Sequence, residues 1–449
     1  MRLSRFILQL KTVDWQAARQ ALRLGVVLLV LLVAVPGLRP DPNSPAFQSL
    51  GYARDYLFDF VSWEAQALFD KLTNAIIAPQ RFMPPEEQTR FVRDYLALVA
   101  EIQRLEQHVF EIYSDPMVED PEEASYYIRV QRDEMRTEQQ RRQAIAEAIV
   151  EAQVAEVLVD YGFGPRSGVW PPVAIRFTQL PTVLIISPRD RIERIGGYPL
   201  QHGITVEERE RIEANVDADL GVSSLVTPIG GLAMWPAMLV ETSYLPAAYD
   251  VSAHEWAHHY LAFYPMGFNY GTTPELYTLN ETVASIVGAE ISWAVLDRYY
   301  PDLAPPPPDY TPIVEEVKPV EPLSADEPPV FDFRAEMRET RIRVDNLLAE
   351  GRIEEAERYM EMRRQQFVAN GYQIRKLNQA YFAFHGSYAD APGATGADPI
   401  GPALRELRYY SGSLVDFVAE VRDMTTYQQV VAALESHRAL AAAEGYGTN

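Results

Sequence analysis

Cysteine is missing from all 449 residues. There is therefore no disulfide framework, thiolate metal ligand, catalytic thiol or lipid-modified N-terminal cysteine, and any metal must be held by histidine and carboxylate. Positive charge is also scarce: 40 Lys and Arg stand against 63 Asp and Glu, a formal charge of -23. Such a surface repels a phosphate backbone, which argues against nucleic acid as a partner. No internal repeat is found. What remains is an ordinary globular composition, 47% hydrophobic and 23% charged, with ample material for a core.

One uninterrupted apolar run, LGVVLLVLLVAV at residues 24–35, follows a segment carrying Arg2, Arg5, Lys11, Arg19 and Arg23 against only Asp14. That asymmetry predicts an N-terminus in the cytoplasm. The run is short for a spanning helix and would also suit the core of a cleaved signal peptide, or a buried soluble helix. However, Phe6, Leu10, Val13, Ala17 and Ala21 recur at helical spacing, as in an interfacial helix leading into a membrane. No small-x-small cleavage site stands out before Pro36. The expectation is an uncleaved single-pass signal anchor with its membrane contact at residues 24–38, the remainder lying outside the cytoplasm; secretion after signal cleavage is the alternative.

Residues 41–161 read as a helical hairpin. Phe91, Tyr95, Leu98, Ile102, Leu105, Val109 and Ile112 alternate steps of four and three, the seam of a coiled-coil-like face. Asp120-Pro121 breaks the pattern, and Ile145, Ile149, Ala152, Ala155 and Val159 mark the returning helix. The hairpin is either an arm for a protein partner or packed on the body. From Gly162 the composition turns to Gly, Pro and β-branched residues, with strand-like runs at 173–178, 182–187 and 238–243. Helical periodicity returns at 251–264 and 274–299. Residues 301–330 hold ten prolines and many acids, which predicts a solvated linker rather than a flap over a cleft. Residues 331–449 form a C-terminal helical region.

The chemistry concentrates in DVSAHEWAHHY, residues 250–260. His254 and His258 are four apart, so on a helix both imidazoles leave one face and can share a zinc ion. Glu255 lies about 100° around the helix, where it reaches a water at the metal without being a ligand. The pattern would arise by chance at most roughly 0.015 times in such a chain. His259 points away from that face and reads as structural. A catalytic site needs a third protein ligand. Glu281, in TLNETVASIVG, lies 23 residues after His258, and Ala284, Ser285 and Gly288 on its side would let its helix approach closely. Thr278 and Glu281 also fit a capping box, but Thr273-Pro274-Glu275 is the better helix start and places Glu281 two turns inside.

HEWAH followed by NETVAS resembles the gluzincin metallopeptidases, the thermolysin-like and aminopeptidase-N-like enzymes, over about residues 225–295. The resemblance implies His254, His258 and Glu281 as zinc ligands and Glu255 as general base. Where the thermolysin-like pattern has an acid shortly after the third ligand, this chain has Ser285. It further implies that GGLAMWPAMLVE, residues 230–241, is an edge strand that pairs with the substrate backbone, through Gly231, Ala233 and Met234. It also implies an oxyanion donor on a later helix, for which Tyr381, His385 and Tyr388 are the candidates. An aminopeptidase would need a carboxylate for the free amine, and Glu241 is one candidate.

The expected protein is thus a predominantly helical α+β chain with a gluzincin-like metallopeptidase domain at 162–300, an N-terminal anchor and a helical hairpin. It would hydrolyse peptide or protein substrates with Zn²⁺. The alternative is a non-enzymatic membrane-anchored scaffold that binds a partner through the hairpin and carries a vestigial or structural zinc site.

Overall fold

The computed structural model describes residues 41–77, 79–114, 117–312, 331–386 and 399–443. Residues 1–48 and 49–449 form separate units. Only Asp41–Gln48 of the first is described, a turn leading into helix α1 (Pro45–Ala53). The second unit holds every other described residue, and its elements build the core and the site.

After α2 (Phe60–Ile77), the long helices α3 (Pro85–Ser114) and α5 (Tyr126–Asp160) pair through the short α4 (Pro121–Ala124). Proline opens both α3 and α4, where its missing N–H is not needed. Asp120 caps α4 by accepting from the Glu123 N–H at 3.0 Å. Val92, Tyr95 and Val99 of α3 bury against a core that takes Ile149, Val150, Val154 and Val157 from α5, and Ile102 and Leu105 further along α3 are buried too. Beyond Leu105 the seam residues Val109 and Ile112 are only half-buried, and Phe110, Tyr126 and Tyr127 nearby are exposed. The inner half of the hairpin is therefore part of the body, and only its far end stands clear.

Among the described residues six strands make two sheets: β1 (Ile175–Thr178), β2 (Thr182–Pro188), β3 (Gly196–Leu200), β4 (Val222–Pro228), β5 (Gly231–Leu232) and β6 (Ala237–Val240). Helix α6 (Val206–Leu220) joins β3 to β4; Thr205 and Glu208 close a capping box at its start, and Gly221 ends it in a left-handed conformation. One sheet has the order β3-β2-β4, antiparallel throughout. Leu184 and Ile186 of β2 face the cluster that holds α6, whereas Val183 and Ile185 face the opposite side. Burial on both faces explains why β2 reads as an unbroken apolar run. The other sheet has the order β1-β6-β5, with β1 parallel to β6 and β5 antiparallel to it.

The two edges of this second sheet differ. On β1, the N–H groups of Ile175 and Phe177 donate to Glu151 and Glu147 at 2.8 and 3.0 Å, and Gln143 donates to the Phe177 carbonyl at 2.6 Å. Lys71 sits 2.7 Å from both carboxylates and offsets one of their two charges. That edge is closed by side chains; β5 forms the other edge.

Helices α7 (Leu245–Leu261), the short α8 (Pro265–Phe268) and α9 (Pro274–Tyr299) follow. The pair α7 and α9 is buried against the β1-β6-β5 sheet and the hairpin. The Thr273 hydroxyl accepts from the Leu276 N–H at 3.1 Å, so α9 starts where its Thr-Pro-Glu signal places it. Beyond residue 330 lie α10 (Phe333–Ala349), α11 (Ile353–Ala369), α12 (Gln379–His385), α13 (Ile400–Tyr410), α14 (Leu414–Val421) and α15 (Tyr427–Ala443). The protein is a mostly helical α+β fold.

One expectation is corrected. Among the described residues no helix is long and apolar enough to cross a membrane, which overturns the single-pass placement. The run at 24–35 that suggested it lies outside the described residues. The described part of the proline-rich segment, residues 301–312, is mostly exposed and touches the body at a few points. Arg405 and Arg408 stack on the Tyr310 ring, each 5.6 Å from its centroid, and Trp293 donates to the Pro305 carbonyl at 3.2 Å. The rest of 301–312 is mostly exposed, and residues 313–330 lie outside the described residues.

Candidate metal centre

The helical spacing of His254 and His258 puts both imidazoles on one face of α7, and α9 brings Glu281 to meet them. The two Nε2 atoms are 3.1 Å apart, and each lies 3.5 Å from Glu281 Oε2. This is the one His/Asp/Glu cluster with metal-binding geometry among the described residues. A tetrahedral ion with bonds of about 2.0–2.2 Å separates its ligands by roughly 3.3–3.6 Å. The two imidazole–carboxylate separations match that spacing and the two Nε2 atoms stand about 0.2 Å inside it, so the residues present fit a metal ion with a small outward shift of the rings.

Neighbouring groups aim the donors. His258 Nδ1 donates to Asn280 Oδ1 at 2.6 Å, leaving the Nε2 lone pair for a ligand. The Tyr270 hydroxyl donates to Glu281 Oε1 at 2.5 Å, so the other carboxylate oxygen faces the imidazoles. Tyr277, one helical turn before Glu281, accepts from Arg194, whose guanidinium also lies 4.5 Å over its ring. Gly197 makes room for that arginine: a side chain there would overlap the guanidinium.

Charge follows from burial and proximity. Burial alone would depress His258, but the Glu281 carboxylate outweighs it and holds the imidazole up at about 9 in the metal-free protein. Burial opposes ionisation of Glu281, yet His258 and His254 keep it well below the usual carboxylate range. Glu255 is 5% exposed, and burial raises its carboxyl although both histidines pull the other way. The Tyr270 hydroxyl is pushed well above its ordinary value by burial and by Glu281.

Close approach of the two helices depends on a small residue, as the sequence suggested. A methyl group on Gly288 would come within 3.0 Å of the Asp250 carbonyl and 3.3 Å of His254 Cβ. Gly288→Ala is therefore expected to part α7 from α9 and weaken metal binding, on the order of tenfold, by analogy with other losses of ligand support. Competition with a chromophoric chelator measures it; unchanged affinity would mean that the helices separate without moving His254.

The other candidates fall in different places. Gly231 lies on edge strand β5 beside Glu255: a methyl group built on it would stand 2.1 Å from Glu255 Oε1. The stretch 230–241 is not a single strand, because residues 233–236 turn between β5 and β6. Ala233 and Met234 sit in that turn, and the Met234 carbonyl accepts from His259 Nε2 at 2.6 Å. His259 thus holds the turn, and burial lowers it to about 4. Pro236 belongs to the same turn. Glu241 accepts from Arg136 at 2.5 Å and from Gln139, tying the hairpin to the end of β6.

Tyr381 and His385 lie on α12, and their rings are 4.2 Å apart. Their helix is placed by β2 and β4 of the other sheet rather than by the helices that carry His254, His258 and Glu281. Burial raises Tyr381 to about 12 and lowers His385 to about 4. Tyr388 lies outside the described residues. Sequence reasoning missed Tyr270, Tyr277 and Arg194. Asn280 could have been found beside Glu281, but Tyr270 is on a turn without periodicity and Arg194 is 87 residues from Glu281.

Fold and site together define a helical α+β protein with a His-His-carboxylate cluster able to bind a metal ion. No family model, curated protein or solved structure matches the chain.

Proposed function

We propose that the chain is a zinc-dependent peptidase of gluzincin type, with His254, His258 and Glu281 as ligands and Glu255 as general base. Two imidazoles and one carboxylate, with no thiolate available, suit zinc better than the hard cations, which take oxygen ligands throughout. Bound there, zinc supplies Lewis acidity, polarising a carbonyl and making water a stronger acid.

The observation that carries the reading is the position of Glu255. This buried carboxylate is outside the ligand triangle, yet its Oε1 lies against the backbone of Gly231 on the edge strand. A structural zinc site has no use for such a group, which disfavours the scaffold reading. An extended peptide adding to β5 by main-chain hydrogen bonds would pass directly over Glu255. Water then adds to the scissile carbonyl: its oxygen bonds to carbon, its proton goes to Glu255, and the carbonyl electron pair moves onto oxygen. The C–N bond breaks as Glu255 passes the proton to the departing nitrogen.

Metal analysis of the purified chain, together with cleavage of a mixed peptide library, tests this reading. One zinc per chain and cut peptides are expected; a zinc-loaded chain that cuts none would sink it. Gly231→Ala should keep zinc but lose most turnover, because the added methyl displaces the Glu255 carboxylate. Full activity in that variant would separate Glu255 from the edge strand.

A further inference from the structure

We propose that Arg194 is a positioning residue of the metal centre, a clasp through which the β3-β2-β4 sheet and its helices hold Glu281 from outside the helices that carry the ligands. The inference rests on the metal-binding part of the reading above and not on peptide cleavage. The buried apolar residues fall into separate clusters: one takes the hairpin, the β1-β6-β5 sheet, α7 and α9, and three others take the β3-β2-β4 sheet, α6 and α10 to α12. The metal ligands lie on α7 and α9, in the first group. Arg194 belongs to the second, on the link between β2 and β3, and crosses to Tyr277 of α9.

The link that carries Arg194 is fixed along its length. Arg189 forms a two-point ion pair with Glu357 of α11 at 2.8 and 2.7 Å, and its carbonyl accepts from Gln379 Nε2 at 2.7 Å. The Glu193 N–H donates to the buried Ser187 hydroxyl at 3.2 Å, and the Ile195 N–H donates to the Ile186 carbonyl at 2.9 Å. Ile192 packs on the cluster of α10 and α11, and Ile195 on that of α6. At its far end the guanidinium donates to the Tyr277 hydroxyl and lies 4.5 Å over the ring. A planar guanidinium can donate and stack at once, which suits it to this place better than an ammonium. The Tyr277 ring stands 4.9 Å from that of Tyr270, and Tyr270 donates to Glu281 Oε1 at 2.5 Å. A continuous series of contacts thus runs from the second sheet to the carboxylate ligand. If Arg194 raises zinc affinity through it, zinc must tighten the hold of α9 on the β2–β3 link by the same factor.

The test measures the zinc affinity of the full chain by chelator competition in Arg194→Met, Tyr277→Phe and the double variant, with hydrogen exchange at residues 187–197 recorded with and without zinc. Each single variant should weaken zinc about tenfold, and the double variant should stay near tenfold, because both changes break one series of contacts. Zinc should slow exchange at 187–197 in the wild type and have no effect there in Arg194→Met. Wild-type zinc affinity in Arg194→Met would overturn the proposal. So would losses that multiply to about a hundredfold in the double variant, or exchange that zinc leaves unchanged in the wild type. A chain that binds zinc but cuts no peptide removes the peptidase reading and leaves this one standing; a chain that binds no zinc removes both.

Discussion

Glu255→Gln is expected to lose about 10²–10⁴-fold in turnover while keeping its zinc. Glutamine has nearly the same volume and can lie against Gly231 as glutamate does, so packing around α7 should hold. What it loses is basicity, because an amide takes no proton from water at working pH. Burial raises the carboxyl of Glu255 and so makes it a better proton acceptor than an exposed glutamate. Metal content and peptide cleavage of the same preparation separate the two effects. Comparable activity in the variant would end the peptidase mechanism, whereas loss of zinc would make Glu255 a ligand.

Glu281→Gln should have the largest effect on metal affinity, since it removes the only anionic ligand of the cluster and the acceptor of the Tyr270 hydrogen bond. It should also change how the metal-free protein responds to pH. In the native chain His258 is held at about 9, above an unfolded value of about 6.5. A pKa raised by folding contributes stability that is fully present below about 6.5 and is lost as pH rises through about 9. The metal-free wild type should therefore weaken across that window. Metal-free Glu281→Gln should show no such slope, because without the carboxylate burial pulls the imidazole down. Denaturant midpoints at a series of pH values provide the measurement; the same slope in both proteins would detach His258 from Glu281. Zinc loading of the wild type at neutral pH should release a proton from His258, visible as a binding enthalpy that varies with the buffer.

Some of this was legible because it depends on short-range periodicity. A four-residue spacing puts two imidazoles on one helical face whatever surrounds them, and Thr273-Pro274 starts a helix by its own backbone constraints. Small residues on the Glu281 face foretold the close approach that Gly288 permits. The inner seam of the hairpin was readable for the same reason, since buried residues must recur at helical spacing.

Periodicity does not carry long-range pairing, and there the sequence ran out. An aromatic and a histidine at helical spacing on α12 look the same whichever element their helix packs on. Only packing decided that it covers β2 and β4. The stretch 230–241 looked like one strand because turn and strand residues are equally apolar there; His259, by holding the Met234 carbonyl, shows where the chain bends. An apolar run with basic flanks follows the same rules whether or not it enters a membrane, and among the described residues no helix is able to cross one. The composition and spacing of the chain determined a cysteine-free His-His-carboxylate cluster with a neighbouring glutamate. The tertiary structure decided which tyrosines and which arginine stand beside it, because those residues meet through contacts between elements that leave no local pattern.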